Sequence, residues 1–244
     1  MNTVDRKTVN VTDLGRTAYG SCWDLQRQLF ELRTAGFAPD TLLLTEHDHV
    51  FTIGKSGDEN HLLASETELK ARGITVYHND RGGDITYHGP GQLVGYPVLD
   101  LQNYYCDLHR YLRDLEEVVI RALESYGLRG RRAEGFTGVW VNDEKICAIG
   151  VRSRQWVTMH GFALNVNTDL SYFDRIIPCG VFDRGVTSMH QLLGHQVMLN
   201  DVARSITQAF GNVFGVTMTT ISQSWLLDLI GRREDFAHQP AIMS

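Results

Sequence analysis

Arg81-Gly82-Gly83-Asp84-Ile85-Thr86-Tyr87-His88-Gly89-Pro90-Gly91-Gln92 sets four glycines, a proline, a fixed cation and an imidazole between two strand-like segments. Glycine has no Cβ, so the main chain here can lie against a ligand or another main chain that any side chain would hold off. The stretch predicts strands over 84–88 and 92–99, joined as a hairpin through Gly89-Pro90-Gly91. It reads as a binding surface built on a sheet.

Working outward, residues 41–44, 50–53 and 74–78 have the character of strands, and 9–14 alternates weakly. Residues 19–34 carry Trp23, Leu25, Leu29, Phe30 and Leu32 at helical spacing. Ser65-Glu66-Thr67-Glu68 is a capping box opening a short helix that stops at Gly73. Asp107 is placed to cap a long helix through Leu123, with Leu108, Leu112, Leu115, Val118, Val119 and Leu123 on its apolar face. Strands follow at 139–141 and 145–151 around an Asn142-Asp143-Glu144 turn, then at 156–166. Asn200 or Asp201 is expected to cap a helix through Phe214, and 216–221 to close a sheet. Strand clusters separated by helices imply a single-domain α+β (mixed α/β) fold over 1–221, with mixed sheets flanked by helices. Residues 222–244 read as a polar tail with two turns of helix around 225–230 and no assignable role.

The chain has 244 residues, 43% of them hydrophobic and 21% charged, and a net charge of -6. That balance fits an ordinary globular protein with a core of normal size. An acidic chain lacks the basic footprint of a nucleic-acid binder. No apolar run is long enough to span a bilayer, and 1–10 is polar where a signal peptide would be apolar, so a cytoplasmic location is expected. Cys22, Cys106, Cys147 and Cys179 are scattered without CxxC spacing, which argues against a zinc site or a disulfide framework. His47 and His49 have no carboxylate cluster beside them, so no metal is expected.

Cys179 sits in Ile176-Ile177-Pro178-Cys179-Gly180. Proline fixes the backbone before it and glycine frees it after, which suggests a loop apex and an accessible, reactive thiol. Lys145 follows a turn and opens an apolar strand. Alternation puts Lys145, Cys147 and Ile149 on one face, where lost hydration disfavours the ammonium and makes the amine a proton partner for a thiol. Cys147 is a competitor for that thiol, but on an apolar strand it reads better as a buried structural residue. His88 and His160, each beside glycine, are alternative general bases. Ala148-Ile149-Gly150 and Gly161-Phe162-Ala163 set small residues beside large apolar ones, as the slot for a hydrocarbon chain requires. Arg129, Arg131, Arg132, Arg152 and Arg154 are the densest cationic set and are expected to sit together near the pocket, where they would steer an acidic carrier.

These motifs together resemble the lipoyl(octanoyl) transferases: residues 81–97, Lys145-Ile146-Cys147-Ala148-Ile149-Gly150, and His160-Gly161-Phe162-Ala163-Leu164-Asn165 followed by Ile177-Pro178-Cys179-Gly180. The resemblance covers roughly 10–220. It implies a biotin/lipoate-protein ligase-like fold. It also implies transfer of an octanoyl (or lipoyl) group from acyl carrier protein to a lysine of a lipoyl domain, without ATP or another cofactor. The acceptors it implies are the E2 subunits of 2-oxo acid dehydrogenases and the glycine cleavage H protein, with no nucleic acid or membrane partner. By position, Cys179 becomes the acyl-thioester nucleophile and Lys145 the group that lowers its pKa. Arg81, Gly82, Gly83, Asp84, Ile85, Thr86, Tyr87, His88, Ala148, Ile149, Gly150, Gly161, Phe162 and Ala163 become the acyl pocket. The alternatives are an ATP-dependent lipoate-protein ligase of the same fold, and a non-catalytic protein that grips an acyl ligand.

Overall fold

A computed structural model describes residues 7–177 and 185–232. The elements run β1 (Thr8–Thr17), α1 (Tyr19–Thr34), β2 (Thr41–His47), β3 (Val50–Ile53), α2 (Glu66–Ala71), β4 (Thr75–His78), β5 (Ile85–His88) and β6 (Gln92–Val98). They continue with α3 (Leu108–Glu124), β7 (Val139–Val141), β8 (Glu144–Arg154), β9 (Val157–Asn165), α4 (Met189–Leu193), α5 (Leu199–Phe214), β10 (Thr217–Thr220) and α6 (Gln223–Gly231). A seven-stranded mixed sheet has the order β10-β1-β2-β6-β9-β8-β7, and a three-stranded sheet the order β4-β3-β5. This is the α+β, single-domain fold expected, with mixed sheets flanked by helices.

Helices α3 and α5 pack on one face of the large sheet and on each other, while α1 covers the other face at β6 and β9. Helix α3 forms where the sequence places it. Asp107 accepts a hydrogen bond from the Arg110 N–H, and Leu115, Val118, Val119 and Leu123 are buried. Ser65 caps α2 by accepting from the Glu68 N–H at 3.3 Å. Helix α5 differs from expectation: its N-cap is Met198, without a side-chain cap, and Asp201 lies in the first turn. A carboxylate there still offsets the positive end of the helix.

The expected hairpin between 84–88 and 92–99 does not form. The Gln92 N–H donates to the Gly89 carbonyl at 3.1 Å, so the turn exists. However, β5 pairs with β3 in the small sheet, while β6 lies between β2 and β9 in the large one. Every residue of β6 is buried and both its edges are taken, which leaves no edge for β5. Gly89-Pro90-Gly91 is therefore a corner that carries the chain from one sheet to the other.

Residues 223–231, which the sequence reading puts in the tail, form α6. Leu226 is fully buried and Ile230 nearly so, both against the α1 side of the core. Leu226→Ala is expected to lower the unfolding free energy by about 2–5 kcal/mol in urea denaturation. A change under about 0.5 kcal/mol would show that α6 contributes nothing to the domain.

Candidate active site

Between the two sheets lies a cavity of about 580 Å³, inside the range of small-molecule sites. Glycines allow its walls to close. A Cβ on Gly150 would lie 2.6 Å from the Gly82 carbonyl oxygen, and one on Gly54 would lie 2.3 Å from that of Gly83. The Gly82 N–H donates to the Val151 carbonyl at 2.9 Å, so the loop after β4 rests directly on β8. A Cβ on Gly161 would lie 2.1 Å from the Gly95 oxygen, which locks β9 against β6.

Of the residues the sequence nominated, Arg81, Gly82, Gly83, Ile85, Thr86, His88, Lys145, Ala148, Ile149, Gly150, Gly161, Phe162 and Ala163 line this cavity. Asp84 and Tyr87 do not. Strand alternation turns Tyr87 to the far side of β5, where its ring stacks on Tyr172 at 4.8 Å and its hydroxyl meets His49 Nδ1 at 2.7 Å. Asp84 holds the turn instead: it accepts from the Ile85 N–H at 2.7 Å and meets the His61 ring at 2.5 Å. Sequence reasoning missed Leu108 and Leu112 as wall residues, along with Phe136, Tyr19, Tyr96 and Asn165. The two leucines stood on the apolar face of α3 already, and only the packing shows that this end faces the cavity.

Lys145 lies at one end. Its N–H donates to the Gly185 carbonyl at 3.0 Å, and its own carbonyl accepts from the Thr187 N–H at 3.0 Å. Its ammonium sits 4.8 Å from the centre of the Trp140 ring. The expectation that Lys145 and Cys147 share a face fails at a bulge. Val139 pairs with Cys147 but Trp140 with Lys145, so Ile146 is an extra residue in β8. The bulge leaves Lys145 and Ala148 on the cavity while Ile146 and Cys147 enter the core. Burial pushes the Cys147 thiol well above its usual range, and that of Cys22 to about 11. Neither of them, nor the exposed Cys106, lines the cavity. Cys179 lies outside the described residues.

His160 pairs with Val151 on the neighbouring strand, six residues along β8 from Lys145, or about 20 Å at a normal strand rise. Its Nε2 meets Asp80 at 2.7 Å, and Arg152 grips the same carboxylate. The residue has φ +59°, a conformation that L side chains rarely adopt. His160 thus closes the end of the cavity remote from Lys145. His47 and His49 do not converge on a metal: His47 Nε2 bonds the Tyr96 hydroxyl at 2.7 Å, and His49 turns to Tyr87. The cationic set is already paired: Arg152 and Arg154 lie over the same Phe30 ring, and four of the arginines meet carboxylates. Arg131 pairs with Asp143, Arg132 with Glu116 and Glu117, Arg152 with Asp80, and Arg154 with Glu31 of α1.

Such an arrangement of two sheets around a cavity is similar to that of lipoate-protein ligases. The structure of lipoate-protein ligase A bound with ATP superposes with a TM-score of 0.72 at 18% identity, over 95% of each chain. A bi-partite lipoate protein ligase from Thermoplasma acidophilum, studied with its E2 lipoyl domain, gives 0.70 at 20% identity over 96% of this chain and 93% of that one. Residues 18–211 match the lipoyl protein ligase A/B catalytic domain, and the chain belongs to that family. The octanoyltransferase of Rubrobacter xylanophilus is 56% identical over 82% of this chain and 91% of its own length. That of Flavobacterium psychrophilum is 48% identical over 87% and 99%.

Burial and neighbouring cations keep the inner imidazoles neutral. Burial lowers His47 to about 4; burial first, and then His47, lower His88 to about 3. An unfolded imidazole titrates near 6.5, so below that pH the unfolded chain binds protons these two refuse. Their contribution to stability is therefore full above pH 6.5 and is lost as the pH falls toward 4 and 3. Urea unfolding at pH 5 should show a loss of roughly 1–2 kcal/mol per histidine relative to pH 7.5. His47→Gln should remove its share of that slope; an unchanged slope would mean that His47 is protonated in the native state.

Proposed function

We propose that the chain is an octanoyltransferase of protein lipoylation that works through a thioester on Cys179, with Lys145 as its proton partner. Family membership and the curated octanoyltransferases of high identity support the activity. The observation that carries the chemical reading is Lys145, set in the wall of a largely apolar cavity. Its main chain is bonded to Gly185 and Thr187, which follow Cys179 by six and eight residues. The three described cysteines are away from that cavity, which supports a nucleophile supplied from 178–184.

In the first step the Cys179 thiolate attacks the thioester carbonyl of an octanoyl-acyl carrier protein. The new C–S bond forms as the old one breaks, and the departing carrier thiolate takes a proton from the Lys145 ammonium. In the second step a lysine amine of a lipoyl domain attacks the enzyme thioester. Lys145 takes the proton from that amine, an amide forms, and the Cys179 thiolate is released. No cofactor enters either step. The acceptors under this reading are lipoyl domains of 2-oxo acid dehydrogenase E2 subunits and the glycine cleavage H protein. The apolar wall residues Leu108, Leu112 and Ile149 hold the hydrocarbon tail, each buried methylene contributing about 0.8 kcal/mol.

Incubation with octanoyl-acyl carrier protein and no ATP should add one octanoyl group to the protein by mass, and none to Cys179→Ala. Lys145→Ala should transfer the group roughly 10²–10⁴-fold more slowly. Equal labelling of Cys179→Ala would place the nucleophile elsewhere, and a strict need for ATP would favour a ligase.

A further inference from the structure

We propose that Gln92 and Asn165 are positioning residues, which carry a one-way chain of hydrogen bonds from the Arg81–His88 wall of the cavity to the main chain of Lys145. The inference rests on Lys145 having the role given above. The direction of the chain follows from two carbonyls that can only accept. Gln92 Nε2 lies 3.2 Å from the Tyr87 carbonyl and 2.9 Å from Asn165 Oδ1, so the amide nitrogen is on that side. Asn165 Nδ2 lies 3.1 Å from the Thr187 carbonyl, which fixes the second amide in the same way. Gln92 Oε1 is then the atom that faces His88 Nδ1 at 2.8 Å, and the imidazole must donate to it.

His88 thereby carries a hydrogen on Nδ1, and because burial keeps the ring neutral its Nε2 is bare. That nitrogen lies 3.4 Å from the Thr52 hydroxyl. The Thr52 oxygen accepts from Arg81 Nη2 at 3.0 Å, so its own hydrogen is available for the imidazole. At the other end the Thr187 N–H donates to the Lys145 carbonyl at 3.0 Å. Thr52, His88, Gln92, Asn165 and Thr187 are all buried. Reversing any link would set two donors or two acceptors face to face. The chain crosses from the small sheet through β6 and β9 to the segment beside β8. It therefore ties the wall that receives the acyl group to the strand that presents the lysine.

The ¹⁵N resonances of His88 in the full-length protein, assigned by loss of the signals in His88→Gln, test the direction of the chain. The expected result is a protonated Nδ1 and a bare Nε2 at neutral pH. Asn165→Asp is nearly isosteric but places an acceptor against the Thr187 carbonyl. It should lower kcat roughly tenfold while KM for octanoyl-acyl carrier protein stays within about twofold. A wild-type His88 with its hydrogen on Nε2 would overturn the proposal. So would a folded Asn165→Asp protein with unchanged kcat, or one changed in KM alone. Should that variant not fold, the tautomer decides by itself. Failure of the wild type to form an octanoyl adduct would remove the Cys179 reading and leave the tautomer result standing, so the two failures are distinguishable.

Discussion

Two sheets of unequal size must touch along their edges and yet leave space between them. The molecule meets this demand with main chain. At Gly54, Gly82, Gly91 and Gly150 one backbone lies against another, and a Cβ at Gly54, Gly91 or Gly150 would come within 2.6 Å of its neighbour. Contacts that close are made by removing side chains, so the walls approach at fixed points while Leu108, Leu112 and Ile149 keep their bulk inside. A slot formed this way has rigid sides. Its width is set by peptide groups in hydrogen-bonded register rather than by side chains free to change rotamer.

Charge is arranged around the slot to the same effect. Asp84, Asp80 and Glu116 all lie close to it, and each is spent on holding a loop in place. Asp84 braces its turn, Asp80 links His160 to Arg152, and buried Glu116 accepts from the Gly138 N–H at 3.0 Å and pairs with Arg113 and Arg132. The last of these fixes the end of the loop whose Gly135, Phe136 and Thr137 form part of the wall. The inner imidazoles are kept neutral by burial. A greasy substrate thus meets polar atoms that are already bonded to one another, so its entry strands few unsatisfied groups.

Much of this was legible in the chain. Helical spacing over 19–34, the Asp107 cap, the Ser65 box and the turn at 142–144 are local features, governed by periodicity and by hydrogen bonds a few residues long. The dense glycines of 81–92 and the small residues of 148–150 and 161–163 marked the cavity walls, because close approach leaves a compositional trace. The orientation of Tyr87 and the core position of Cys147 left no such trace. The first depends on which face of β5 meets the slot, and the second on a bulge that shifts alternation by one residue.

The amino-acid sequence by itself determined the elements, the family resemblance and the residue types available for acyl chemistry. Only the tertiary structure decided that Gly89-Pro90-Gly91 turns between two sheets instead of within one, that α6 belongs to the core, and which carboxylates the arginines meet. It also decided that Arg81, His88, Gln92, Asn165 and Lys145 join one chain of bonds. The reason is range. A cap or a turn is settled by neighbours in sequence, whereas the choice of strand partner depends on which edges remain open after the whole sheet has formed.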